Sequence, residues 1–205
     1  MGDSLIPVNP QPISAQFGQG RWMNEWIQPG NLDVQEKYAE LVKGMSSGDM
    51  IHRCLNYVTS IPYKAFISGR LQIEGRIFTQ DDLWMEPDTT MLAGVANCAN
   101  KTFLLTSLLR NYLDAHQVYA VLGNIHTNNI GGHAWVEVNR TMLLESTQPR
   151  ITAPLDKAAV ADIYEPVVYF NDVETYYVEG HTELRPISDV AVVWLQDYLL
   201  PRVLA

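Results

Sequence analysis

Gly131-Gly132-His133-Ala134-Trp135-Val136-Glu137-Val138-Asn139-Arg140-Thr141-Met142-Leu143-Leu144-Glu145-Ser146-Thr147 reads as two short strands, 133–138 and 142–147, joined across a turn. With Asn139-Arg140-Thr141 as the loop, Val138 pairs with Met142. Side chains alternate along a strand, so 133, 135 and 137 then share a face with 143, 145 and 147. Glu145 falls opposite Trp135 and diagonal to His133, about 7–8 Å away at the backbone and within reach of a long side chain. A two-residue loop would send Glu145 to the opposite face. The loop is therefore expected to be odd in length, or corrected by a bulge.

Upstream lies Gly94-Val95-Ala96-Asn97-Cys98-Ala99-Asn100-Lys101-Thr102, directly before the strongest helical pattern of the chain. Ala99, Phe103, Leu104, Leu108 and Tyr112 fall at helical spacing, and the helix is expected to run from Cys98 to about Asp114 or His116. A cysteine in a first helical turn meets unpaired backbone amides and the positive end of the dipole. Both favour a thiolate, and the amides can also hold an oxyanion. Gly94 lets the chain turn into the helix, and Ala96 and Ala99 leave the sulfur uncrowded.

Cys98, His133 and Glu145 thus supply the three parts of thiol acyl transfer. The thiol needs a base to take its proton, and the base needs an orienting group. His133 is expected to take and return the proton, and Glu145 to orient the ring and favour the imidazolium. Glu137 shares the predicted face and rivals Glu145. Asn97, Tyr63 and Trp84 are candidate oxyanion donors beyond the Cys98 amide, and their order stays open. Gly131-Gly132, read as part of a loop 126–132, lets the backbone pass close to a substrate, and Trp135 is expected to shield the pair from water.

The remaining chain reads as one α+β domain, helices first and strands after. Residues 1–32 are rich in Pro, Gln, Gly and Asn, with aromatic anchors at Phe17, Trp22 and Trp26, and read as an extended arm lying against the domain or a partner. Residues 33–205 form the domain. Val34–Val42 is a short amphipathic helix, and Asp49 is placed to cap a second over Met50–Val58, closed by Ile61-Pro62-Tyr63. Residues 68–93 are mixed. Val118–Gly123 is a strand, and Pro166–Asn171 with Glu174–Val178 a further hairpin. Val190–Leu200 is apolar, helix or strand.

Composition narrows the function classes. The 205 residues are 47% hydrophobic and 18% charged, which suits one globular domain with a sizeable core. The net charge of −9, with no dense Lys/Arg cluster, argues against nucleic acid as partner. No apolar run approaches the roughly 20 residues that span a bilayer, and residues 1–7 lack a signal-peptide pattern, so a cytoplasmic or other reducing compartment is expected. Two cysteines make no disulfide framework. Cys54, inside an apolar helical pattern, is read as core, and His126 as a rim residue. The cysteines lack zinc-ligand spacing and the acidic residues lack EF-hand spacing, so no metal and no cofactor is expected.

These motifs together resemble the transglutaminase-like superfamily of the papain-like fold group. The resemblance rests on Ile61-Pro62-Tyr63, Trp84-Met85-Glu86-Pro87, the Cys98 segment, His133-Ala134-Trp135-Val136-Glu137-Val138, and Glu145-Ser146-Thr147. It covers about residues 49–148. It implies a papain-like, transglutaminase-like core, a nucleophile helix packed on an antiparallel sheet, and a thioester acyl-enzyme on Cys98. Two departures stand out: Glu145 occupies a place where Asp is usual, and Asn100 stands where an acidic residue often follows the nucleophile.

Three functions remain open at this point. Amide or peptide hydrolysis by a cysteine protease or amidase leads, with a protein or peptide as substrate. Crosslinking of glutamine side chains to amines is the second. A structural protein reusing the fold within a larger assembly is the third, docking through the arm and the apolar segment Trp194–Leu204.

Overall fold

A computed structural model describes residues 4–7, 22–64, 69–73, 76–80, 84–181, 184–185 and 189–203. At its centre the helix behind Cys98 forms as α4 (Cys98–Leu109), every residue of it buried. A helix buried on every side needs partners all round, and the polar groups among its residues must bond within the protein. Around it lie α1 (Leu32–Val42), α2 (Met50–Ser60), α3 (Pro87–Ala93) and a large sheet. The helix stops at Leu109 rather than at 114–116. Asn111 bonds its side chain back to the Ser107 carbonyl, and Asp114 opens a capped turn over 115–117. Such short polar side chains compete with the helical ladder.

The sheet contains β1 (Leu5–Pro7), β4 (Val118–His126), β5 (Ile130–Val138), β6 (Met142–Leu144), β7 (Leu155–Asp156), β8 (Tyr164–Phe170) and β9 (Thr175–Val178). Its order is β1-β9-β8-β4-β5-β6-β7, antiparallel at each pairing. The architecture is therefore the expected α+β arrangement, with the Cys98 helix packed on an antiparallel sheet. A separate hairpin joins β2 (Gly69–Ile73) to β3 (Arg76–Gln80). The expected 166–171/174–178 hairpin is β8–β9, and the ambiguous apolar segment near the C-terminus is a helix, α5 (Asp189–Val203).

The hairpin that carries the site has the expected parity. Val138 pairs with Met142, and Asn139 and Arg140 take left-handed backbone angles (φ 51° and 57°) in the turn between them. Two other expectations need correction. Residues 126–132 are not a loop: β4 reaches His126, β5 begins at Ile130, and only 127–129 turn. Ile125 is fully buried and prolongs the strand, so Gly131-Gly132 lie inside the ladder, paired with Ile125 and Asn124. Asp49 precedes α2, yet its side chain caps nothing there and accepts a hydrogen bond from the Ser46 hydroxyl instead.

Within 68–93, α3 begins with Pro at its first turn and ends on Gly94 in the left-handed region (φ 63°), the asymmetry expected of helix ends. That glycine turns the chain toward Cys98. Of the N-terminal aromatics, Phe17 lies outside the described residues, Trp22 is exposed and Trp26 is buried. Trp26 stacks on Phe103 at 5.8 Å, and Trp84 meets Phe103 edge-on at 4.9 Å. This aromatic cluster encloses Cys98, Ala99 and Ala134. Val136, Val138 and Leu144 pack with Leu104, Leu105 and Leu108 of α4, while Trp135 and Leu143 pack with Ala191, Val192 and Leu195 of α5.

Candidate active site

Cys98 is the first residue of α4, and Asn97 is its N-cap. The Asn97 side chain accepts from the Asn100 amide at 2.9 Å and its carbonyl accepts from the Lys101 amide at 3.1 Å. The Cys98 and Ala99 amides have no intrahelical acceptor, as at any helix start. Ala96 exchanges backbone bonds with Pro62 and Lys64, so the Ile61-Pro62-Tyr63 element lies directly beside the approach to Cys98.

The His133 ring and the Glu145 carboxylate meet at 2.9 Å, Nε2 to Oε2, with both side chains wholly enclosed. Glu145 follows the last residue of β6, and the odd loop puts it on the His133 side. Its carboxylate is fully engaged. Tyr164 Oη donates to Oε2 at 2.8 Å, while the Thr147 amide and hydroxyl donate to Oε1 at 2.8 and 2.6 Å. A buried carboxylate is tolerated only with such satisfaction. Burial alone would raise the Glu145 carboxyl; the His133 imidazole and Thr147 outweigh it and hold it below the usual range.

The other His133 nitrogen, Nδ1, is buried and receives no aligned hydrogen bond. Burial opposes a charge on His133. The Glu145 carboxylate overcomes that opposition, with Cys98 adding to it, and the imidazole is raised well above its ordinary value. Carboxylate and imidazole thus form one buried hydrogen-bonded pair, and Cys98 adds to the upward shift of the same ring.

The remaining sequence candidates divide. Trp135 is buried and stacks beside His133 at 6.1 Å, but its indole N–H donates to Glu137 at 3.1 Å and is not offered to a substrate. Glu137 is occupied by that bond, by Tyr169 and by Lys157, so it does not orient His133. Trp84 forms the aromatic wall by Cys98, and Tyr63 touches both this cluster and the one around Trp135. The Asn97 side-chain oxygen caps the helix by accepting from the Asn100 amide, so any donation to an oxyanion would have to come from its Nδ2. His126 pairs with Glu165 at 2.8 Å and lines a cavity of about 290 Å³ together with Tyr164, Glu165 and His181. Cys54 is core, its thiol pushed up to about 12 by burial.

Tyr164 and Thr147 are the site residues that sequence reading overlooked. Thr147 belongs to the Glu145-Ser146-Thr147 motif, but nothing in the motif says that it holds the carboxylate. Tyr164 comes from β8, distant in sequence, and no local pattern marks it. Among the described residues no group of three or more His, Cys, Asp or Glu is placed to hold a metal ion, and no helix is long and apolar enough to cross a membrane.

No protein-family model matches the chain, and no curated protein matches it by sequence. Solved structures do match. LapG of Legionella pneumophila in its calcium-bound form aligns with a TM-score of 0.54 at 15% identity, over 81% of this chain and 90% of that one. The EGTA-treated form aligns with a TM-score of 0.54 at 17% identity, over 95% and 99%. A third LapG structure gives 0.53 at 16%, over 95% and 99%. At these identities the likeness is one of fold, the transglutaminase-like fold.

Proposed function

We propose that this chain is a cysteine peptidase or amidase acting through Cys98, His133 and Glu145. The observation that carries the reading is the assignment of the two His133 nitrogens. Nε2 is held by Glu145 inside the protein, which leaves Nδ1 for Cys98. LapG, whose fold this chain shares, is a cysteine protease, and that supports the reading at the level of reaction class.

In this mechanism His133 takes the Cys98 proton and the thiolate sulfur attacks the carbonyl carbon of an amide. The oxyanion is met by the Cys98 and Ala99 amides at the start of α4. His133 then protonates the leaving nitrogen, the C–N bond breaks, and a thioester remains on Cys98. Water attacks that thioester, giving up a proton to His133; the acid product leaves and the thiol is restored. Glu145 keeps the imidazole oriented and stabilises its cation, while Tyr164 and Thr147 keep Glu145 in place. A primary amine in place of water would give crosslinking through the same intermediate.

The enclosure of the site favours a second reading. Cys98 is 0% exposed and His133 1%, so a protein that only reuses the fold in an assembly would be equally at home here. Trp22 at 47%, Val193 at 71% and Trp194 at 41% exposure would then be contact residues. One experiment separates the readings: iodoacetamide labelling of Cys98 and Cys54 against pH by mass spectrometry, in wild type and His133→Ala. The peptidase reading expects Cys98 to react well below pH 8.5, the ordinary thiol value, with the rate collapsing in the variant. Slow labelling indifferent to His133 would leave the structural reading. Turnover of a peptide library with and without excess primary amine then tells hydrolysis from transfer.

A further inference from the structure

One buried charge near this site takes no part in the mechanism above. Lys101 lies three residues after Cys98 on α4 and is 1% exposed. Its ammonium donates to three backbone carbonyls: Val58 at 3.1 Å, Thr59 at 3.2 Å and Ser146 at 2.9 Å. Three donors meet three acceptors, so the cation is fully satisfied. The acceptors come from two places. Val58 and Thr59 belong to the last turn of α2, where the helix dipole is negative and favours a cation. Ser146 is the residue between Glu145 and the Thr147 that clamps it.

We propose that Lys101 is a positioning residue for the site: it ties the segment carrying Glu145 to the helix carrying Cys98, and so sets the alignment of carboxylate, imidazole and thiol. The proposal rests on the triad reading given above. An apolar side chain of similar length would fill the same space without the cost of desolvating a cation. It could not gather three converging carbonyls. Without that anchor the peptide at Ser146 has no tie to α4 through this side chain, and Glu145 shifts with it. Displacements of an ångström at such sites cost about 10²-fold in rate.

The charge also acts directly. Lys101 and Glu145 attract one another, and burial lowers the amine to about 8 against that attraction. A neutral amine offers two donors and a lone pair, so one of the three carbonyls loses its partner as Lys101 deprotonates. Above about pH 8 the Glu145 segment is accordingly held less firmly.

The test uses Lys101→Met, which keeps the volume and removes the donors, and Lys101→Gln, which keeps two donors without the charge. Folding is checked by circular dichroism and thermal melting. The readouts are the pH–rate profile of Cys98 alkylation by iodoacetamide and the titration of the His133 imidazole by NMR. The proposal expects Lys101→Met to stay folded, to label at Cys98 about 10²-fold more slowly near neutral pH, and to lower the His133 titration. Lys101→Gln is expected to recover part of both. Either folded variant with a wild-type profile and a wild-type His133 titration overturns it. If Lys101→Met does not fold, Lys101→Gln alone carries the comparison. His133→Ala run alongside keeps the two ideas apart: if wild-type Cys98 labels no faster than in His133→Ala, the triad reading fails, whatever Lys101 does.

Discussion

Glu145 has four hydrogen bonds, and they do not weigh equally. His133 Nε2 and Tyr164 Oη share Oε2, while Thr147 holds Oε1 twice. Removing the Tyr164 hydroxyl leaves the charge and the Thr147 clamp intact. Tyr164→Phe is therefore expected to cost about 1–3 kcal/mol of stability, the range for a hydrogen bond to a buried charged group, and to slow Cys98 labelling by less than about tenfold. Glu145→Gln removes the carboxylate itself and can present its amide N–H to Nε2, imposing the wrong tautomer. Its labelling rate should fall by about 10²–10⁴-fold. Urea denaturation and timed alkylation measure both. Equal losses in the two variants would mean that the tyrosine does more than hold the carboxylate.

At the scale of the element, the strand pair β4–β5 sets where His133 stands. Gly123 is the residue paired with His133, at the irregularity where β4 meets β8. A Cβ there would run into the Glu165 carbonyl oxygen and the Trp135 ring, and would lie 2.9 Å from the Pro166 Cα. Gly123→Ala is expected to destabilise by about 1–3 kcal/mol, as overpacking does, and to shift the Trp135 indole resonance. An unchanged denaturation midpoint would show that β8 yields without cost. Sequence reading found the helix start at Cys98 and the parity of the 138–142 loop because both are local: a cap, a period, a turn. It did not find where β4 ends and β5 begins, because Ile125 is kept in the strand by burial against elements far away in the chain. It missed Tyr164 and Lys101 for the same reason, since each matters only through partners that folding brings to it. Helix α3 was overlooked although Pro87 and Gly94 bracket it, because seven residues are too few to show a period.

For the whole molecule, the His133–Glu145 pair makes stability depend on pH. His133 is raised and so contributes fully below its ordinary value of about 6.5, losing that contribution as pH climbs toward the folded value. Glu145 is lowered and contributes fully above about 4.5, losing its share as pH falls through the folded value. The stability difference between wild type and Glu145→Gln should therefore be widest between these two values. Urea midpoints taken across pH check this, and a difference flat with pH would sink the linkage. Cys54, held neutral by burial, favours unfolding above pH 9, where the unfolded thiol ionises and the folded one does not.

The sheet has one more consequence. Its outermost strand pair joins Leu5 to Val178 and Pro7 to Tyr176, residues from near opposite ends of the described chain. Closing so long a loop brings little local reward for its entropy, so this pairing belongs to the late, slow part of folding. During synthesis β1 emerges early and must wait as an unpaired edge until β9 has been made. In that interval it is open to any other extended segment, including β9 of a neighbouring copy.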